Sequence, residues 1–307
     1  MHKKISDHYF IILFSLIPLT IIIGPTASLI NIILIDISFL FILIHSKNLS
    51  FLKEKSVILI LLICAYLIFN WLISQDLSIG FKRNFGFIRF LILFIAFNYF
   101  FLKSNFLKKV LLVWLSIITL VSVDIYIESF FGKNILGFSG ADAKYWDRIV
   151  SFFKDEPIVG GYVNAFYLLL VGFIFHFLSD KFYQKKLVIL LFSIIIFFSI
   201  LLTGERSSLI KAFLALMMFY FINDSFSIKE KIILIIVLFI ISAGIYSSSS
   251  FLKSRLFENN SISFFKSSGI TKNTNMTMGN ENLYLTLYRS GFTVWKNYPL
   301  IGVGNKN

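Results

Sequence analysis

Residues 186–224 read KLVILLFSIIIFFSILLTGERSSLIKAFLALMMFYFIND. Two apolar runs, 187–203 and 208–223, are separated only by Gly204, Glu205, Arg206 and Ser207. Neither run alternates as a barrel strand would. Each approaches the roughly 20 apolar residues that a helix needs to cross a hydrocarbon layer, and snorkelling flanks shorten that requirement. The stretch therefore reads as a helical hairpin in a bilayer, with its polar turn at one surface.

The same pattern extends outward in both directions. Apolar blocks lie near 9–24, 28–45, 56–74, 86–102, 110–131, 162–179 and 232–249, giving about nine spans with the hairpin. Hydrophobic residues make up 57% of the chain and charged residues 15%, where a soluble domain carries roughly 25% charge. The expected fold class is all-α: a polytopic membrane helical bundle over 1–249, followed by 250–307 as the incomplete beginning of a large exterior loop. Lys3 and Lys4 before the first apolar run mimic a signal peptide, but no small-residue cleavage site follows, so a retained first helix is expected.

Lysine placement gives the orientation. With a cytoplasmic N-terminus, the segments 1–8, 46–55, 103–109, 180–186 and 224–231 fall inside and carry 13 Lys in 40 residues, with no Arg. The first two spans must then break near Gly24 and Pro25. All six arginines (Arg83, Arg89, Arg148, Arg206, Arg255 and Arg289) fall outside or at the outer end of a helix. Lysine as a point charge satisfies the topology rule, whereas the arginine fork grips phosphate or carboxylate in two places. The outer face thus reads as built to hold an anion, set against a chance scatter of six residues. The net charge of +13 does not imply nucleic acid, because nearly half of the basic residues are cytoplasmic lysines facing anionic headgroups.

Residues 132–161 form the first sizeable exterior loop. Its Trp146, Phe152 and Phe153 among charges suggest a segment lying along the membrane interface. Beyond a Ser- and Asn-rich stretch read as flexible, Leu283, Leu287, Phe292 and Trp295 recur at helical spacing, which predicts an amphipathic helix over about 281–297. Pro299 ends it, with Gly302 and Gly304 in a tight turn.

Several constellations are candidates for chemistry. Arg206 opens the second helix of the hairpin, where free N–H groups and the helix dipole face outward, so it marks either a small anion site or a plain charged turn. Arg89 lies just inside the fourth span and either snorkels outward or faces the bundle and a ligand. Arg148 sits in the interfacial loop and Arg289 on the amphipathic helix. Asp36 is mid-span. Asp124 and Glu128, four apart on one helix face, either pair with an arginine or relay protons. His2, His8, His45 and His176 are cytoplasmic or near the inner interface, and Cys64 is packed filler. There is no zinc motif, phosphate-binding loop or dinucleotide fingerprint, so neither metal nor cofactor is expected.

Three of these segments resemble one family. TGERSSLIKAFLAL is similar to the Thr-Gly-x-Arg turn of the O-antigen ligase and polymerase family. LYRSGFTVWKNYPLIGVGN resembles its Arg-x5-Trp and Pro-x2-Gly-x-Gly signature, and RIVSFFKDEPIVGGYV resembles its Arg-x-x-Gly-x-Phe-x-Asp-Glu stretch, with Ser151 where glycine is usual. The resemblance implies a metal-independent, inverting glycosyltransferase of the bacterial inner membrane with a periplasmic active face. Such an enzyme moves a glycan from undecaprenyl pyrophosphate to a lipid A-core sugar or another glycan. It implies Arg206 and Arg289 as catalytic residues on the donor's pyrophosphate, supported by Arg148 and Arg89. The family's proposed base is a histidine beyond the Gly-x-Gly turn, past Asn307. The chain as given is therefore expected to bind donor poorly and not to turn over.

Two other classes compete. A transporter or flippase of a lipid-linked anion would line a path with intramembrane charge, whereas here the arginines gather at one face and only Asp36 is mid-span. A non-catalytic assembly subunit would fit the missing histidine.

Overall fold

The computed structural model describes residues 2–46, 53–73, 77–101, 104–140, 148–154, 156–177, 182–248 and 283–299. Among these residues the chain is all-helical, with no strand. In chain order the helices are α1 (His2–Ser15), α2 (Ile17–Ile23), α3 (Pro25–Ser46), α4 (Lys55–Leu72), α5 (Leu77–Gly86) and α6 (Ile88–Phe101). They continue as α7 (Ser104–Phe131), α8 (Val159–Phe177), α9 (Phe182–Leu202), α10 (Arg206–Ile222), α11 (Ile228–Ser248) and α12 (Leu283–Asn297), with one 3-10 turn at Ser151–Phe153.

Among the described residues, five helical segments are long and apolar enough to cross a membrane: Pro25–His45, Lys55–Leu72, Asn84–Phe101, Asn105–Phe131 and Val159–Phe177. Their outward faces show why the chain needs a bilayer. Along α4, Leu59, Leu62, Tyr66 and Phe69 are all exposed. A row of this kind would be an aggregation surface in water but is solvated by lipid tails.

The helices fall into two compact units. The first comprises Met1–Ala27 and Asn105–Asn259, the second Ser28–Ser104 and Asn260–Asn307. In the first unit α8, α9 and α10 pack on one another around the fully buried Tyr167, Leu170, Ile189, Ile196 and Leu216. Tyrosine hydroxyls in this unit bond to helix carbonyls. The Tyr167 hydroxyl donates to Ser193 O at 2.9 Å, and the Tyr126 hydroxyl to Ile195 O at 2.6 Å. Trp114 Nε1 donates to Phe14 O at 2.8 Å, satisfying one of the last carbonyls of α1, which has no intrahelical donor. In lipid the apolar effect no longer drives helix association, so such bonds and close packing must set the arrangement.

In the second unit α5 folds back on α4. Trp71 Nε1 donates to Leu77 O at 2.8 Å, and Asn84 Nδ2 to Leu67 O at 2.9 Å. The rings of Phe81 and Phe85 meet Trp71 edge-on, with centroids 5.5 and 5.2 Å away. The stretch 75–85 between two expected spans is expected only as an exterior segment, so this helix is a finding of the structure.

Several expectations are met where they can be compared. The break between the first two spans falls at Gly24, whose φ of 137° suits glycine, and Pro25 opens α3 at a position where its missing N–H costs nothing. The amphipathic helix at 281–297 is α12, with Phe292 and Trp295 exposed on it. Trp146, Arg255 and the turn at Gly302 and Gly304 lie outside the described residues.

Candidate functional site

The exterior loop after α7 is held down by two carboxylates on the last turns of that helix. Glu128, 5% exposed, accepts three backbone N–H bonds. Oε1 takes those of Gly140 at 3.2 Å and Val150 at 3.1 Å, and Oε2 that of Ser151 at 2.6 Å. Asp124, fully buried, accepts from the Ile135 amide at 2.9 Å and from the Ser151 hydroxyl at 2.5 Å. Asn134 completes the clamp, donating from Nδ2 to Ser151 O at 2.7 Å and accepting at Oδ1 from the Leu136 and Phe138 amides at 3.0 and 2.7 Å. The sequence offered arginine pairing or proton relay for Asp124 and Glu128. Instead, among the described residues, their partners are loop amides and a serine.

The clamp locates Arg148. Its neighbours Ile149, Val150 and Ser151 are buried, and Arg148 itself is half-buried. Ser151 and Lys154 have φ of 47° and 51°, a left-handed backbone that L-residues adopt only when the surroundings enforce it. Phe153 does not lie out along a surface as an interfacial aromatic would. It is 9% exposed and meets Tyr162 of α8 edge-on at 5.1 Å. Tyr162 in turn donates to Pro18 O at 3.1 Å, so the loop, the start of α8 and α2 share one end of the first unit.

Arg206 stands at that same end. The hairpin turn reverses at Gly204, with φ of 69°, and Arg206 is the first residue of α10, exposed beside exposed Ser207. The preceding residue, Glu205, accepts at Oε1 from the Gly160 amide of α8 at 2.9 Å and at Oε2 from the Ser208 hydroxyl at 2.8 Å. The first amides of a helix lack intrahelical acceptors and carry the positive end of its dipole, so a guanidinium there adds to an existing anion-favouring field. Val159–Tyr162 thus ties both Arg148, through Phe153, and Arg206, through Glu205, to one surface.

Arg89 and Arg289 belong to the second unit. Arg89, on the first turn of α6, is half-buried, with its guanidinium carbon 4.8 Å from the Phe90 ring centroid. Its charge bears on Asp36 of α3, which is 5% exposed. Arg289 is exposed on α12.

A groove of about 870 Å³ runs along the other end of α10, lined by Leu168, Leu214, Met218, Phe219 and Ile222 with Lys211 at one edge. Its walls are mostly apolar, with Asn223, Asp224 and Ser225 also lining it. No group of three or more His, Cys, Asp or Glu side chains that could hold a metal occurs among the described residues.

Sequence reasoning missed the part played by Glu205 and Gly160. The available signal was a Gly-Gly pair opening one helix and a Thr-Gly-Glu turn before another, but nothing in the sequence says that the two meet.

The apolar helices mark a multi-pass helical membrane protein. Residues 189–307 match the family model described as O-antigen ligase, and this supports assigning the chain to the O-antigen ligase and polymerase family. The match spans the hairpin turn, α10, α11 and α12, and so includes Arg206 and Arg289 but not Arg89 or Arg148. No curated protein and no solved structure matches the chain.

Proposed function

We propose that the chain acts in transfer of an undecaprenyl-pyrophosphate-linked glycan to a lipid A-core or glycan acceptor, at the periplasmic face of the bacterial inner membrane. The observation that carries the reading is Arg206 on the first turn of α10 within the region matching the O-antigen ligase model. On this reading α9, α10 and α11, of 21, 17 and 21 residues, also cross the membrane, and α1 with α2 forms a first span, giving nine. Lysine-rich segments then face the cytoplasm and the arginines the periplasm.

In the reaction an acceptor hydroxyl attacks the anomeric carbon. The bond from that carbon to the pyrophosphate oxygen breaks, and the hydroxyl proton passes to a base. The electron pair leaves with the pyrophosphate, which gains negative charge as it departs. Arg206 and Arg289 are assigned to that developing charge, with Arg148 and Arg89 in support. Positioned guanidinium groups supply the stabilisation that a divalent metal gives elsewhere.

The test is substitution to lysine, which keeps the charge and removes the fork. Arg206→Lys and Arg289→Lys are each expected to weaken binding of undecaprenyl pyrophosphate, measured on protein in lipid nanodiscs, by roughly 10- to 100-fold, the scale of one lost charge-assisted bond. Glycan transfer in a ligase-null strain should fall in parallel wherever the parent supports it. Unchanged binding in both variants would remove the pyrophosphate role.

A further inference from the structure

We propose that Glu205 is a positioning residue for Arg206, strapping the first turn of α10 to the first turn of α8 so that the guanidinium is presented from a fixed backbone. The proposal rests on the pyrophosphate reading of Arg206 and assigns a task to the residue beside it.

The residue preceding a helix usually turns its side chain onto the helix's own second or third amide. Glu205 precedes α10 and makes no such bond. Its Oε1 instead crosses to the Gly160 amide, 45 residues away in sequence, at 2.9 Å. That amide belongs to the first turn of α8 and lacks an intrahelical acceptor, so a single carboxylate caps one helix while anchoring the next. Oε2 is held by the Ser208 hydroxyl at 2.8 Å, one turn into α10. Thr203, 1% exposed, locks the other side of the turn by donating from Oγ1 to Ile200 O at 2.7 Å. With both oxygens occupied by these donors, the carboxylate is engaged in structure rather than offered to a substrate.

The two helix starts approach too closely for a side chain at Gly160. A Cβ on Gly160 would lie 2.5 Å from Thr203 Oγ1 and 2.9 Å from Glu205 Cδ. A Cβ on the next residue, Gly161, would meet Glu205 Oε2 at 3.5 Å and Ser208 Oγ at 3.6 Å, ordinary contact distances. The strap therefore requires glycine at one position and tolerates alanine at its neighbour, a difference that general destabilisation of the bundle does not produce.

Four variants and two readouts test this. Glutamine at 205 keeps an acceptor for the Gly160 amide and gains an N–H that the Ser208 oxygen can accept, so Glu205→Gln preserves the strap without the charge. Glu205→Ala and Gly160→Ala break it, and Gly161→Ala is the control. For geometry, nitroxide labels are placed at Ile158→Cys and Ser207→Cys, both exposed, in a Cys64→Ala background, and their separation is read by pulsed electron paramagnetic resonance. The parent, Glu205→Gln and Gly161→Ala should give one narrow distance distribution, and Glu205→Ala and Gly160→Ala a markedly broader one. For function, undecaprenyl pyrophosphate binding by the unlabelled proteins should fall about tenfold in the two strap-breaking variants and stay within about threefold in the other two, since a misaimed fork loses its charge-assisted bonds. A narrow distribution in Glu205→Ala overturns the proposal, as does Glu205→Gln losing binding as fully as Glu205→Ala. Failure of the parent chain to bind pyrophosphate would count against the reading of Arg206 instead, while the label distances still decide whether the strap exists.

Discussion

Replacing Glu128 by alanine removes the acceptor of three buried amides at once, those of Gly140, Val150 and Ser151. A hydrogen bond to a charged group contributes about 1.5–3 kcal/mol, and the three here share one carboxylate, so they do not simply add. The desolvated amides left behind resemble the broken half of a buried network, so the expected loss is about 3–5 kcal/mol of local stability. Glu128→Gln keeps one acceptor oxygen but turns an N–H₂ toward a donor, so it should recover only part of this. At about 1.4 kcal/mol per factor of ten, the alanine variant should speed amide exchange in the loop by at least roughly a hundredfold. The assay is hydrogen exchange by mass spectrometry on peptides covering 132–153, with peptides from α9 as the internal reference. Asp124→Ala removes the bonds from the Ile135 amide and the Ser151 hydroxyl but leaves the Glu128 bonds in place, so its effect should be smaller. Because both acids act on Ser151, the double variant should cost less than the sum of the two. Unaltered exchange in Glu128→Ala would refute the clamp.

Three further outcomes test the scaffold. Ser227 and Glu230 form a reciprocal cap on α11, the Ser227 amide donating to Glu230 Oε2 at 2.7 Å and the Glu230 amide to Ser227 Oγ at 3.4 Å. Ser227→Ala should lower stability by about 1 kcal/mol in detergent melts. The Ser227 amide, and after it Lys186, hold the Glu230 carboxyl below its usual value near 4.5. Its contribution is therefore full above that value and lost as the pH falls through the lowered one, and Glu230→Gln should abolish this acid-side slope in melting temperature; an unchanged slope would assign it to other groups. Trp114→Phe keeps most of the buried ring but leaves the Phe14 carbonyl without its donor, so a loss of about 1–2 kcal/mol in the same melts is expected, and no loss would mean that the bond contributes nothing.

What the sequence could reveal follows from the range of the forces involved. Apolar blocks such as 28–45 and 110–131 announce helices because lipid imposes one demand on every residue in them. The spacing of Leu283, Leu287, Phe292 and Trp295 announced α12 for the same local reason. Helix α5 stayed hidden because Gly80, Lys82, Arg83 and Asn84 break any apolar run, and what holds it is tertiary, namely Trp71 and the Asn84 bond to Leu67 O. Asp124 and Glu128 were rightly placed on one helix face and given the wrong partners. Their ligands lie 11 to 27 residues downstream, in a loop whose path no periodicity encodes. Arg206 was legible as a charge at a helix start, whereas the carboxylate beside it reaches a glycine on another helix that the chain meets only when folded.

The fate of the acids bears on how the arginines can work. A guanidinium serves an external phosphate only if neighbouring carboxylates do not occupy its fork, since an internal ion pair is always at hand and a substrate is not. Asp124, Glu128 and Glu205 hold the loop and the hairpin turn that carry Arg148 and Arg206. Among the described residues, each directs its oxygens to backbone amides or serine hydroxyls. These bonds satisfy the buried negative charge locally, and they brace the loop and the hairpin turn that carry the arginines. On the proposed reading, removing a clamp acid harms the site twice. It loosens the loop, and any carboxylate placed nearby without amide partners would turn to the arginine instead. Moving the acid by two residues, as in Glu205→Ala with Arg206 retained and Ser207→Glu added, should therefore bind pyrophosphate more weakly than Glu205→Ala alone, and equal binding would show that the placement of the acids does not matter.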